Sequence, residues 1–119
     1  MRKWSYLKPD TLFGGQPFQK IMVYENAEGT WVFLYNPKDA LFCTEDLFYE
    51  DLESALEEWE DNIDVEGWHE IPDPMPECQH DCILPVRVKG RDKGDPQWGK
   101  YEILKDGVWE AFTDNNPTL

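Results

Sequence analysis

Residues 31–35 are apolar on both faces of an extended chain, and this constrains the fold more than any other segment. Alternate side chains point to opposite sides, aromatic on one and aliphatic on the other: Trp31, Phe33 and Tyr35 against Val32 and Leu34. A strand of this kind must be covered on both faces, which is typical of a central strand. With the β-rich residues 20–24, it predicts a hairpin with a five-residue turn that ends at Gly29.

Residues 50–62 have the spacing of an amphipathic helix. The apolar positions follow the i, i+3, i+4, i+7 pattern of one helix face: Leu52, Ala55, Leu56 and Trp59. Because only this face can join a core, we expect these four side chains to be buried.

Turn signals elsewhere indicate further antiparallel structure. Asp106 and Gly107 separate two β-rich runs and predict a two-residue hairpin turn. Residues 68–71 and 83–89 predict short strands, whereas residues 40–49 are apolar but irregular.

These elements predict an α+β fold in one small domain spanning residues 1–119, a length that suits one core. We expect a mainly antiparallel sheet of two hairpins plus extra strands, with one amphipathic helix packed on one face. An irregular N-terminal segment is expected over residues 1–18, a Pro-rich connecting loop over residues 72–82, and a polar tail over residues 114–119. The pattern leaves the strand order open.

Composition excludes several classes of protein. Hydrophobic residues make up 40% of the chain, which is too much for intrinsic disorder. Twenty-five Asp and Glu residues against 11 Lys and Arg give a formal charge of -14, which repels phosphate backbones and disfavours direct nucleic-acid binding. Residues 87–100, with five cations and Trp98, form the segment that most resembles a phosphate or RNA contact.

Cysteine usage and hydropathy predict a cytoplasmic protein. Residues 1–10 contain basic residues but no apolar run, so we expect no secretory signal. No apolar stretch approaches the roughly 20 residues that cross a bilayer, so no membrane partner is expected. Three cysteines are an odd count and too few for the disulfide framework of a secreted domain.

The acids are concentrated between residues 45 and 70, a segment without Lys or Arg that we call the acidic stretch. Its members are Glu45, Asp46, Glu50, Asp51, Glu53, Glu57, Glu58, Glu60, Asp61, Asp64, Glu66 and Glu70. Like charges at helical spacing, such as Glu53 with Glu57, each cost about 0.2–0.5 kcal/mol at low salt. A helix selected for stability alone would carry some Lys.

Three interpretations of the acidic stretch remain open. It is a solvated face that keeps the protein soluble. Alternatively, it pairs internally with the other concentrated charges of the chain: Arg87, Lys89, Arg91 and Lys93. In the third interpretation it is a docking surface for a basic protein partner, whose binding relieves the repulsion.

The docking interpretation gives the candidate site and function. The partner-binding residues would be Glu53, Glu57, Glu58, Glu60, Asp61, Asp64 and Trp68. Trp68 is included because aromatic residues within a charged rim are typical interface anchors, and Trp98 is a second candidate anchor. We therefore expect a non-enzymatic acidic binding protein, such as an immunity or antidote protein or an inhibitor that presents carboxylates in place of phosphates. Its alternative is an acidic domain with no specific site.

A metal or thiol site is the remaining alternative. Cys78, His80 and Cys82 place three metal-capable side chains within five residues, but no second ligand pair completes a zinc site. Residues 62–73 superficially match a calcium loop, yet Pro72 and the following prolines prevent the exiting helix. We expect no metal, no cofactor and no catalytic residue.

Overall fold

The computed structural model describes residues 1–113, which contain ten strands and one α-helix. The strands are β1 (Arg2–Tyr6), β2 (Leu12–Phe13), β3 (Gln16–Pro17), β4 (Lys20–Asn26), β5 (Gly29–Tyr35), β6 (Glu45–Tyr49), β7 (His69–Ile71), β8 (Val86–Val88), β9 (Lys100–Lys105) and β10 (Val108–Thr113). Helix α1 is Leu52–Trp59, and short 3-10 helices follow at Glu60–Asn62 and Arg91–Lys93. Within residues 1–113, no helix is long and apolar enough to cross a membrane. The expected polar tail, residues 114–119, lies outside the described residues.

All the strand pairs are antiparallel. A five-stranded sheet has the order β6-β5-β4-β1-β7, a three-stranded sheet has the order β10-β9-β8, and β2 pairs with β3. Helix α1 packs across β5 and β6. The predicted α+β class, a mainly antiparallel structure with one helix on one face, is confirmed.

Strand β5 is a central strand with both faces covered, as its sequence predicts. Val32 and Leu34 belong to a core shared with Ala55 and Trp59 of α1, which we call the helix-side core. Phe33 and Tyr35 belong to a second cluster, on the opposite face of the sheet. The chain between residues 72 and 85 covers that opposite face: the Tyr35 hydroxyl donates to the carbonyl of Asp81.

The first hairpin is tighter than predicted. Strand β4 ends at Asn26 and β5 begins at Gly29, so two residues rather than five form the turn. Gly29 has a φ of 148°, and a Cβ there would overlap the Phe48 ring. Glycine at this position lets the turn close beneath a neighbouring aromatic side chain.

The expectation of an irregular N-terminal segment over residues 1–18 is wrong. Residues 2–6 form β1, which lies between β4 and β7 inside the five-stranded sheet. A hydropathy pattern does not predict this strand, because it assigns the charged Arg2 to the surface. In the structure Arg2 is only 5% exposed. Residues 40–49 are also more regular than expected, because β6 occupies their second half.

Helix α1 is shorter, and its buried face narrower, than predicted. Asp51 caps its N-terminus, so it begins at Leu52 rather than at residue 50, and the last predicted turn is a 3-10 helix. Ala55 and Trp59 are buried, but Leu52 and Leu56 are only half-buried. Leu52 still packs against the helix-side core, whereas Leu56 lies outside it.

Candidate functional site

The acidic stretch turns into a helix at Asp51. Its carboxylate accepts a 2.8 Å hydrogen bond from the Ser54 backbone N–H, which satisfies one of the free donors at the helix start. That bond holds the pKa of the Asp51 carboxyl below its usual value. The acid at the start of the helix therefore has a structural role.

The remaining acids of the helix form one exposed surface, which we call the acidic helix face. Its members are Glu53, Glu57, Glu58, Glu60 and Asp61, all of them exposed. The buried Ala55 and Trp59 point to the sheet, so Glu53 and Glu57 lie on the far side of the helix. Asp64, which follows the 3-10 helix, is half-buried, and its backbone N–H donates to the carbonyl of Tyr6.

Glu58 is held in place by a chain of hydrogen bonds that begins in the core. The indole Nε1 of the buried Trp59 donates to the Tyr49 hydroxyl at 3.0 Å, and that hydroxyl donates to the Glu58 carboxylate. Burial first, and then the bond to Glu58, raise the pKa of Tyr49 to about 12. Glu58 is thus a structural acceptor as well as a surface charge.

Trp68 is half-buried and packs against the helix-side core. Its Nε1 lies 3.3 and 3.4 Å from the two carboxylate oxygens of Glu60. The Lys3 ammonium lies 4.6 Å from the centroid of its ring, which adds a cation–π contact. Trp98, the other candidate anchor, is 75% exposed.

Glu53, Glu57 and Asp61 are the unpaired members of the acidic helix face. Among residues 1–113, no side chain forms a hydrogen bond or an ion pair with any of these three. They are spaced i, i+4 and i+8, so each repels its neighbour. Three adjacent carboxylates therefore face solvent without compensation.

The interpretation in which the basic segment pairs with the helix is wrong. Arg87 bonds Glu102 at 3.2 Å and lies 3.6 Å from Asp92, while Arg91 pairs with Glu77 at 3.2 Å. Over the described part of the chain, no ion pair joins residues 87–93 to α1. The register of β8 with β9 places Arg87 opposite Glu102, which explains the choice of partner.

Cys78, His80 and Cys82 do not converge on a site. Both cysteines are buried free thiols and His80 is exposed. Burial raises the pKa of both thiols, which keeps them protonated and poor as nucleophiles or metal ligands. No group of three or more metal-capable side chains gathers anywhere in residues 1–113.

Sequence reasoning missed Tyr49 and Lys3, which border the acidic helix face. Tyr49 lies at the end of β6 and Lys3 lies on β1, two strands that the hydropathy pattern did not reveal. Strand pairing brings both residues to the helix side of the sheet. The local sequence indicates their position only through the alternation of residue types along each strand, which is weak in both strands.

Comparison with known proteins provides no relative for this chain. No protein-family model matches the sequence, and no curated protein or solved structure shows significant similarity to it.

Proposed function

We propose that the protein is a non-enzymatic binding protein that docks on a basic protein partner through the acidic helix face. The observation that carries this proposal is the trio of Glu53, Glu57 and Asp61, which are exposed, adjacent and unpaired. Three carboxylates in this arrangement suit a surface rich in Lys and Arg.

The energetics favour a partner over solvation alone. Repulsion within the trio costs the free protein about 0.4–1 kcal/mol for its two i, i+4 pairs, and a basic surface removes that cost on binding. The net charge of -14 also attracts a cationic partner from a distance and raises the rate of encounter. A surface that serves solubility alone gains nothing from concentrating its acids on one helix.

The partner class follows from the same charges. A protein that binds nucleic acid presents cations where phosphates lie, and exposed carboxylates on a rigid helix can occupy those positions. We therefore propose an inhibitor, or an immunity or antidote protein, for such a partner. We place this role in the cytoplasm, which the free thiols Cys43, Cys78 and Cys82 support.

A matched pair of charge variants tests the proposal. In the first, Glu53→Gln, Glu57→Gln and Asp61→Asn neutralise the trio. In the control, Glu28→Gln, Asp95→Asn and Glu110→Gln remove the same charge from exposed positions elsewhere. Tagged wild type and both variants are used to capture proteins from the host lysate, and the captured proteins are quantified by mass spectrometry.

We expect a basic protein that is captured by the wild type and the control but lost with the first variant. Its association rate with the wild type should fall steeply with salt, and the first variant should flatten that dependence. Equal losses with both variants would show that overall charge matters and not this face. Equal capture by all three proteins would contradict docking through the trio.

A further inference from the structure

We propose that a cleft on the opposite face of the five-stranded sheet binds the guanidinium group of an arginine side chain within a polypeptide. This site is independent of the acidic helix face, since it lies across the sheet from α1. It is formed by β5, β6 and the chain around residues 78–81, with a volume of about 300 Å³. Its principal lining residues are Trp31, Phe33, Asp46, His80, Asp81 and Arg91.

Strand pairing gives the cleft its shape. The register of β5 with β6 sets Phe33 opposite Asp46, so a ring and a carboxylate lie side by side on one face. Phe33 is buried and forms the floor, whereas Asp46 is exposed at the edge of the sheet. The residues around Asp81 close the other side, because Tyr35 and Cys43 both bond to it.

A row of aromatic rings holds Trp31 as a flat wall. Phe48 packs edge-on against Trp31 with centroids 4.9 Å apart, and the ring of Tyr24 lies nearly parallel to the indole, with centroids 6.0 Å apart. Tyr24 in turn contacts the ring of His80 at 5.1 Å. A planar guanidinium stacks well on an indole fixed in this way.

The uncompensated charge of the cleft is negative. Asp81 is held by a 2.8 Å bond from the Cys43 backbone N–H. The two guanidinium groups near it are engaged elsewhere, because Arg91 pairs with Glu77 at 3.2 Å and Arg2 donates to the carbonyls of the residues on either side of Asp81. No cation of residues 1–113 lies within ion-pairing distance of Asp46. A cationic guest would supply the missing partner.

Arginine fits this combination better than lysine. Its guanidinium is planar and weakly hydrated, so it can stack on Trp31 and donate to the Asp46 carboxylate together. An ammonium is compact and strongly hydrated and gains less from the ring. Free arginine also carries an α-ammonium and an α-carboxylate, whose hydration would be disturbed at the cleft, and an arginine within a polypeptide has neither, which favours a side chain within a polypeptide.

Titration followed by nuclear magnetic resonance tests the site. The probes are capped N-acetyl-arginine methylamide, its neutral isostere N-acetyl-citrulline methylamide, and free L-arginine. The readout is the Trp31 indole N–H signal, assigned by its loss in Trp31→Phe. We expect saturable shifts with capped arginine, and binding at least about tenfold weaker for citrulline, which lacks the charge.

Variants locate the interaction and separate it from the helix. Asp46→Asn should weaken capped-arginine binding about tenfold, Asp46→Glu should restore much of it, and Glu53→Gln should leave it unchanged. Equal binding of arginine and citrulline, or no effect of Asp46→Asn, would overturn the proposal. Tighter binding of free arginine would overturn the polypeptide source. None of these outcomes bears on docking through the acidic helix face, which the trio variants test separately.

Discussion

The guanidinium of Arg2 donates to the backbone carbonyl of Cys82, 80 positions further along the chain, at 2.8 Å. The same side chain donates to the carbonyls of His80 at 3.0 Å and Pro72 at 2.9 Å. A single buried cation thus joins an inner strand of the sheet to the chain that covers one face. Burial lowers the pKa of Arg2, while the three carbonyls accept from three of its five N–H donors.

Arg2→Met should destabilise the protein by about 3 kcal/mol, because it removes a charged donor from three acceptors and leaves buried carbonyls without partners. Urea denaturation followed by circular dichroism measures the change. Arg91→Met is the control, since Arg91 is exposed, and it should cost less than about 0.5 kcal/mol. Similar losses in both variants would show that the carbonyl bonds of Arg2 contribute little.

Ala55→Asp should unfold the protein or cost more than about 4 kcal/mol, since a carboxylate would be buried against the sheet without a partner. Leu56→Asp, one residue further on, should cost only about 1–2 kcal/mol because Leu56 is half-buried and lies outside the helix-side core. Thermal and urea unfolding check the order. The reverse order would mean that the helix presents a different face.

The difference between Ala55 and Leu56 shows what the helical period of the sequence can predict and what it cannot. The period places Ala55 and Leu56 on one face, but the sheet beneath α1 covers only part of that face. By contrast, Asp106 and Gly107 form the predicted hairpin turn, with φ angles of 51° and 79°. A turn of this kind depends on the two residues themselves, so the local sequence predicts it. Strand β1 was missed because the burial of Arg2 depends on carbonyls 70 or more positions away.

The same reason separates the two candidate sites. The exposure of the acidic helix face follows from the sequence period alone. The cleft beside Trp31 does not, because the pairing of Phe33 with Asp46 and the approach of Asp81 depend on tertiary structure. A local sequence pattern predicts which residues a helix exposes. A site between strands can be predicted only when the pairing register of those strands is known.

Tyr49→Phe should cost about 1–2 kcal/mol at neutral pH, because the Trp59 Nε1 loses its acceptor in a half-buried environment. The pKa of Tyr49 is about 12 in the folded protein, above its ordinary value of 10.0. Neutral Tyr49 therefore stabilises the fold fully below pH 10, and this contribution is lost as the pH rises toward 12. The stability difference between wild type and variant should shrink over that range in urea titrations. A difference independent of pH would contradict the raised pKa of Tyr49 in the folded protein.

Cys43, Cys78 and Cys82 should react with a thiol reagent at least about 100-fold more slowly in the native protein than in urea, since burial raises the pKa of each thiol. Labelling followed by mass spectrometry gives the rate at each site. Elemental analysis of the same sample should find no stoichiometric zinc. A fast native thiol, or zinc that is lost in a Cys78→Ser/Cys82→Ser variant, would favour the metal or thiol alternative.

The trio variant Glu53→Gln/Glu57→Gln/Asp61→Asn should be more stable than the wild type by about 0.4–1 kcal/mol at low salt, because two like-charge i, i+4 pairs disappear. High salt should remove most of the gain. Urea unfolding at two salt concentrations provides the measurement. A less stable variant would show that these carboxylates have favourable partners within the fold.

Placement of β1 between β4 and β7 also governs the order in which the chain can fold. The β4–β5 hairpin pairs residues that are close in sequence, and β1 can join it along one edge, but the other edge of β1 has no partner until residues 69–71 have been made. At about 5–20 residues per second, that interval amounts to several seconds of synthesis. The Arg2 guanidinium can form its hydrogen bond to the Cys82 carbonyl only later, after Cys82 has been made. Loop closure over such separations slows folding, so the nascent sheet spends those seconds with an unpaired strand edge that other chains could bind.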